Sequence, residues 1–322
     1  MTRPPTYADV LAARERVAGT VRRTPLILGE ATASGLGAPV HLKLESLQPT
    51  GSFKVRGAAN RLLALSNEER ERGVVTVSTG NHGRAVAHVG RQLGVRVTVC
   101  LSELVPANKV AALRDTGAEV IIGGAGQDEA AERAEALREE RGLTLVHPFD
   151  DPYVIAGQGT MALELLEQQP ELDTVLVPLS GGGLLAGVAL ALKAAAPAVR
   201  VVAVSAEATP VMLRSVEAGK PVELPEVPTL ADSLGGGIGL ANRYTLGLVR
   251  ELVDEHVVVS EEEIRRAMVH LLLEERLVAE GASAVGVAAL LGGHVSPGRA
   301  TAVIVTGRNV DMRTLLDLVG SA

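Results

Sequence analysis

Short runs rich in Val, Ile and Leu alternate along the chain with longer stretches in which apolar residues recur at helical spacing. The short runs fall at 40–44, 74–78, 95–101, 119–122, 144–147, 174–179, 200–205, 256–259 and 301–306. Their near-continuous apolar character predicts strands buried on both faces. Helical periodicity occupies 81–94, 106–116, 127–140, 153–168, 183–195 and 260–279. The last of these opens on Ser260 with Glu263 following at the spacing of a capping box. Strand–helix alternation of this kind predicts an α/β fold of parallel-type open sheets covered by helices, arranged as one large sheet or two smaller ones. Ligands of such sheets bind at the carboxyl ends of strands, which directs attention to the residues that follow each run.

Composition narrows the function classes. A chain of 322 residues can bury a large core and suggests roughly two domains. No apolar run reaches the length of about 18 residues that a membrane span needs. The opening MTRPPTYADVLAARERV carries charges where a signal peptide needs an apolar stretch. Cys100 is the single cysteine, which excludes an internal disulfide and a thiolate metal cluster. Together these features predict a cytoplasmic protein with no membrane partner. Net charge is −7 with no basic block, which argues against nucleic acid as a partner. There is no Trp, and the two Phe stand at 53 and 149, so the core must be built from Val, Leu, Ala and Ile.

Four segments that follow strands carry candidate chemistry. In Pro49-Thr50-Gly51-Ser52-Phe53-Lys54-Val55-Arg56-Gly57-Ala58, a lysine opens a helix beside a rare phenylalanine. The positive end of the helix dipole disfavours an ammonium there, and Schiff-base chemistry needs the neutral amine; a solvated lysine is the plain alternative. Ser78-Thr79-Gly80-Asn81-His82-Gly83 places hydroxyls and backbone N–H groups at a strand–helix turn. That turn suits a carboxylate, or serves only as a helix cap. Ser180-Gly181-Gly182-Gly183-Leu184 lets backbone wrap an anion at a helix N-terminus. It lacks both the dinucleotide fingerprint and the P-loop lysine, so a single phosphate group fits best. Thr306-Gly307-Arg308-Asn309 offers a neutral hydroxyl at a strand end and, taken alone, reads as a turn.

In this order the four segments resemble the fold-type II pyridoxal-phosphate enzymes, in the branch of threonine/serine dehydratase and serine racemase. Arg23-Thr24-Pro25-Leu26, Val154-Ile155-Ala156-Gly157-Gln158-Gly159-Thr160 and Glu280-Gly281-Ala282 extend the likeness over nearly the whole chain. The Ser-Thr-Gly-Asn-His loop and the stretch 231–239 also look like the branch associated with hydroxyectoine utilisation. The resemblance implies two open parallel-type sheets covered by helices, with pyridoxal 5'-phosphate in the cleft between domains. It implies a large domain of 1–68 and 149–322, a small domain of 69–148, and a homodimer. It further implies that Lys54 binds the cofactor covalently and moves the Cα proton, with Phe53 beside the pyridine ring and Asn81 on the phenolic oxygen. Gly181, Gly182 and Gly183 would hold the phosphate together with Ser180 or Leu184, and Thr306 would face the ring nitrogen. Ser78, Thr79, Gly80, Asn81 and His82 would take the substrate carboxylate.

A carboxylate at the ring nitrogen would keep it protonated and make the ring a strong electron sink; a neutral hydroxyl does not, which favours prompt loss of a β-substituent. The expected activity is therefore elimination of the β-hydroxyl from Thr, Ser, a 3-hydroxyaspartate or a hydroxyectoine-derived amino acid, giving a 2-oxo acid and ammonia. Racemisation by Lys54 and Thr79 is the alternative, and a non-catalytic binding protein the remote one. The racemases' metal site matches a stretch where Ser205 and Val211 replace acids, so no metal is expected, although Glu207 could serve a shifted site. His147, Asp150 and Arg308 are candidates for substrate selectivity.

Overall fold

The computed structural model describes residues 3–78, 80–103, 105, 107–124, 127–208 and 210–320. Among them, the strands are β1 (Leu26–Leu28), β2 (Val40–Leu44), β3 (Val74–Val77), β4 (Val97–Leu101) and β5 (Glu119–Ile122). The later strands are β6 (Thr144–Leu145), β7 (Thr174–Pro178), β8 (Arg200–Ala206), β9 (Glu255–Val259) and β10 (Thr301–Val305). The helices of the first half are α1 (Tyr7–Val17), α2 (Glu30–Leu36), α3 (Lys54–Leu63), α4 (Asn67–Arg72), α5 (Asn81–Leu93), α6 (Ala107–Arg114) and α7 (Gln127–Arg141). Those of the second are α8 (Pro152–Gln168), α9 (Gly183–Ala195), α10 (Val211–Ala218), α11 (Thr245–Leu252), α12 (Glu261–Leu273), α13 (Gly281–Leu291) and α14 (Met312–Gly320).

The chain divides into two compact units. One comprises Met1–Arg22 and Lys54–Gln158, the other Arg23–Phe53 and Gly159–Ala322. The first unit thus takes in α1, α3 and the start of α8, and is wider than the segment 69–148. Packing explains the difference. Val55, Ala58, Ala59 and Leu62 of α3 share one apolar core with Val86 and Val89 of α5 and with Val17 and Val154. Glycines let α3 and α8 approach closely: a Cβ on Gly57 would lie 2.8 Å from Val154 Cγ1, and one on Gly157 2.7 Å from Arg56 O.

In the first unit the sheet order is β5-β4-β3-β6, with every neighbour parallel. On its second face, Ala134 and Leu137 of α7 pack with Val75 and Cys100. In the second unit the order is β1-β2-β10-β7-β8-β9, parallel except for β1 against β2. Every residue of β7 and β10 is buried, the reason these strands read as unbroken apolar runs. Helix α13 is buried on every side except at its last residue, and a Cβ on Gly286 would meet Val303 Cγ1 at 2.6 Å.

Two local readings differ from the pattern. Strand β1 has only three residues and was invisible as a run. The 260–279 periodicity holds as helix only to Leu273. Arg276 then takes a left-handed φ of 59° and the Leu277 N–H returns to Leu271 O, so the following apolar residues pack as an irregular segment. The Ser260–Glu263 capping box is present as the sequence predicts.

Candidate active site

In the first unit, β3 and β6 are parallel neighbours, so the segments that follow them lie at one end of the sheet. Lys54 is the first residue of α3, whose first turn has no acidic residue. Its Nζ donates to Pro148 O at 2.9 Å, just past β6. In the segment after β3, the Gly80 N–H donates to Ser78 Oγ at 3.3 Å, and α5 begins at the buried Asn81. Gly83 admits no side chain, because a Cβ would lie 2.3 Å from Ser78 O. Thr79 lies outside the described residues.

His82 is fully buried, with Nε2 3.1 Å from Val146 O. A carbonyl only accepts, so Nε2 carries the proton and Nδ1 is left as a buried lone pair without a partner among the described residues. Burial, reinforced by the charge of Lys54, pushes its pKa down to about 3. A neutral ring showing a lone pair cannot attract a carboxylate. Any grip His82 has on one must come from its backbone N–H, in the first turn of α5.

His147 is neutral in the same way. Its Nδ1 accepts from the N–H groups of Phe149 (3.3 Å) and Asp150 (2.8 Å), so the proton sits on Nε2. Burial, opposed by Asp150 and reinforced by Lys54, brings its pKa down to about 4. Its ring meets Phe149 edge to face, centroids 4.6 Å apart. The environment of Lys54 thus includes two uncharged imidazoles and a carbonyl.

In the second unit, the carboxyl ends of three adjacent strands, β2, β10 and β7, carry the remaining candidates. After β2, the segment leading to Phe53 is clasped by the one after β10. Phe53 N donates to Thr306 O (2.9 Å), Arg308 N to Gly51 O (2.9 Å) and Asn309 Nδ2 to Thr50 O (3.0 Å). The Thr306–Asn309 turn is therefore the clamp that orients the residue preceding Lys54. Gly51 has φ +75°, and a Cβ there would lie 2.6 Å from Asn309 Oδ1. The exposed Arg308 serves this clamp through its backbone.

After β7, Gly181, Gly182, Gly183 and Leu184 are buried while Ser180 is partly exposed. Gly182 has φ +84°, and a Cβ would lie 2.8 Å from Met212 Cε and 3.0 Å from Thr245 Cβ. It precedes α9, whose N-terminus has no side-chain cap. After β10, the buried Thr306 Oγ1 lies 2.8 Å from Ser283 Oγ. Ser283 also donates to Gly307 O (2.7 Å) and accepts from Gly307 N (2.6 Å). Ser283 and the Pro148 carbonyl escaped sequence reasoning. Ser283 follows the Glu280-Gly281-Ala282 motif directly, which was the one available signal; a carbonyl leaves none.

A cavity of about 410 Å³ lies elsewhere, at the amino end of the four-stranded sheet, lined by Glu71, Arg72, Arg96, Thr98, Glu119, Arg141 and Leu143. Its arginines serve the chain itself. Arg72 donates to Gly142 O just past α7, and Arg96 to Glu71 O and Arg72 O at the end of α4. They satisfy helix C-terminal carbonyls and offset the negative end of the dipoles, while Arg141 pairs with Glu119.

The family described as "Pyridoxal-phosphate dependent enzyme" matches residues 17–307. The chain belongs to this family. An L-threonine ammonia-lyase of Thermotoga maritima is 41% identical over 96% of this chain and 77% of its own length. Among solved structures, a T.th. threonine deaminase aligns with a TM-score of 0.87 at 40% identity, covering 95% of this chain and 99% of that one. Maize serine racemase aligns with a TM-score of 0.92 at 36% identity, covering 99% and 98%. The chain is thus a pyridoxal-phosphate-dependent enzyme of the threonine dehydratase and serine racemase branch, with the two-sheet α/β fold of that group.

Features of the structure fit the cofactor. An uncapped helix N-terminus behind a glycine that a Cβ would crowd suits a phosphate. A lysine near neutral histidines suits an aldehyde. A buried hydroxyl pair, with no carboxylate hydrogen-bonded to it among the described residues, suits a ring nitrogen that stays largely unprotonated.

Proposed function

We propose that the chain is an ammonia-lyase that removes the β-hydroxyl of a small hydroxy amino acid, L-threonine first, giving a 2-oxo acid and ammonia. The observation that carries this reading is Lys54 at the head of α3, near two histidines held neutral by burial, together with the likeness to an L-threonine ammonia-lyase. Pyridoxal phosphate, when bound, supplies the electron sink that makes the Cα proton removable.

The residues divide the work. Lys54 holds the cofactor and takes the Cα proton on Nζ, and the absence of charge on His82 and His147 keeps competing cations away from it. Gly181, Gly182 and Gly183, with the N–H groups of Ser180 or Leu184, hold the phosphate at the start of α9. Asn81 bonds the phenolic oxygen, Phe53 lies beside the ring, and Thr306 meets the ring nitrogen with a neutral hydroxyl. Ser78, Thr79, Gly80, Asn81 and the His82 backbone seat the substrate carboxylate. His147, with its Nε2–H donor, selects among side chains. We place the enzyme in the cytoplasm as a homodimer, which sedimentation of the purified protein tests.

The deciding assay is ammonia release by cofactor-loaded protein from L-Thr, L-Ser, both 3-hydroxyaspartate diastereomers and hydroxyectoine-derived amino acids. Release from L-Thr that disappears in Lys54→Ala, along with the bound chromophore, is the expected result. No release from any of them would overturn the reading. The likeness to maize serine racemase favours racemisation as the second reading, and chiral analysis of the same incubations tests it.

A further inference from the structure

Thr306 and Ser283 form a buried hydroxyl pair whose protons can be counted. Both side chains are almost completely excluded from solvent. Ser283 Oγ has one proton and two lone pairs. One lone pair is taken by Gly307 N at 2.6 Å. Its remaining neighbours are Gly307 O at 2.7 Å and Thr306 Oγ1 at 2.8 Å. Among the described residues, Ser283 is the one hydrogen-bond partner of Thr306 Oγ1.

Two arrangements satisfy every proton. In the first, Ser283 donates to Gly307 O and Thr306 donates to Ser283. Thr306 then shows only lone pairs to a ligand. In the second, Ser283 turns its proton to Thr306, and Thr306 keeps its own to give away. The turn is permitted because Gly307 O still accepts from Glu280 N at 3.1 Å. Thr306 can therefore act as acceptor or as donor, and it is the serine that allows both. Without the serine oxygen, the Thr306 proton loses its internal acceptor, and an unsatisfied buried donor is costly. The hydroxyl would be driven to donate outward at all times.

We infer that Ser283 is a positioning residue that sets the protonation of the cofactor's ring nitrogen through Thr306, and thereby the balance between elimination and racemisation. The inference rests on the proposal that Thr306 meets that nitrogen. With Ser283 in place, a protonated ring can donate to Thr306 and on through Ser283 to Gly307 O. Without it, the site accepts only the unprotonated ring. An unprotonated ring is the weaker electron sink, so a carbanion that must persist for reprotonation is disfavoured relative to prompt loss of the β-hydroxyl.

The test loads wild type, Ser283→Ala, Ser283→Thr and Thr306→Val with cofactor labelled with ¹⁵N at the ring. The nitrogen chemical shift and the visible absorbance are then followed against pH. In Ser283→Ala the ratio of protonated to unprotonated nitrogen should fall about fivefold to tenfold at fixed pH, the scale of one lost hydrogen bond. The ratio of racemised to deaminated product should fall with it. Ser283→Thr, which keeps the oxygen, should return both readings toward wild type. If Ser283→Ala fails to fold, Ser283→Cys carries the same expectation with a smaller shift, because a thiol is a weak acceptor in a similar volume.

A folded, loaded Ser283→Ala or Ser283→Cys with the wild-type nitrogen titration overturns the inference while Thr306→Val still moves the signal. If Thr306→Val leaves the nitrogen signal unchanged, the placement of Thr306 itself falls, and the role of Ser283 falls with it.

Discussion

Gly51 and Gly182 each combine a left-handed backbone with neighbours that leave no space for a Cβ. Such conformations cost L-residues about 1–3 kcal/mol. Gly182→Ala should weaken cofactor binding by about tenfold or more, read by absorbance titration, while far-UV circular dichroism stays unchanged. Gly51→Ala should loosen the clamp onto Asn309 and lower the unfolding temperature, with kcat reduced because Lys54 is less well held. The Gly51 and Gly182 positions could be marked from the sequence, because a glycine in a turn that follows a strand signals a backbone that no other residue adopts without strain. For Ser283 the adjoining Glu280-Gly281-Ala282 motif marked the segment but not the partner, since nothing in an Ala- and Gly-rich helix tells which serine meets Thr306. The side-chain role of His82 was equally hidden. Its tautomer is set by Val146 O, far from it in sequence.

Helix α12 shows how a local signal becomes stability. Ser260 accepts from Glu263 N, while the Glu263 carboxylate accepts from Ser260 N and Oγ and lies 2.7 Å from His294 Nε2. Against the burial that would raise it, these hydrogen bonds and His294 bring the Glu263 pKa from 4.5 down to about 2. A depressed carboxylate contributes stability above its unfolded pKa and loses it as pH falls through the folded one. The contribution of this cap should therefore vanish between about pH 4.5 and 2. Ser260→Ala should cost about 1 kcal/mol near neutral pH, measured by urea unfolding.

Between β2 and α8 the tie is ionic. Lys43, fully buried, donates to Glu164 at 2.6 Å, to Gln168 at 2.8 Å and to Thr24 O at 2.8 Å. Lys43→Ala would remove the buried cation that pairs with Glu164 and leave its place in the core unfilled, and should destabilise by about 3–5 kcal/mol, measured by urea unfolding. The double variant Lys43→Met, Glu164→Leu should recover much of that loss. The sequence analysis assigned no partner to Lys43, because its acceptors on α8 lie more than 120 residues away along the chain.

Across the molecule, His82 and His147 link folding to pH. Both have folded pKa values, about 3 and about 4, below the ordinary 6.5. The unfolded chain therefore binds more protons between those values, and stability present above pH 6.5 is lost as pH falls. Each histidine contributes a slope of up to about 1.4 kcal/mol per pH unit in its window. Urea midpoints measured from pH 7 to 4.5 should fall steeply for wild type. They should fall distinctly less for His82→Gln, whose amide can still donate to Val146 O. Equal slopes for the two proteins would show that His82 titrates normally in the folded state.

Strand positions, the α/β class and the phosphate-suited glycine turn follow from sequence because they rest on local chemistry: burial on both faces, backbone freedom, and free N–H groups at a helix start. Where the chain divides into units was decided by tertiary packing. The segment after Phe53 joins the four-stranded sheet because Gly57 and Gly157 let α3 and α8 approach and their apolar faces merge with α5. The same holds for the protons. Nothing along the chain tells that His82 and His147 are neutral, that Lys54 rests on the Pro148 carbonyl, or that Thr306 is backed by Ser283. Each of these depends on a partner distant in sequence and on the low polarity of the space they share, and both exist only once the chain has folded.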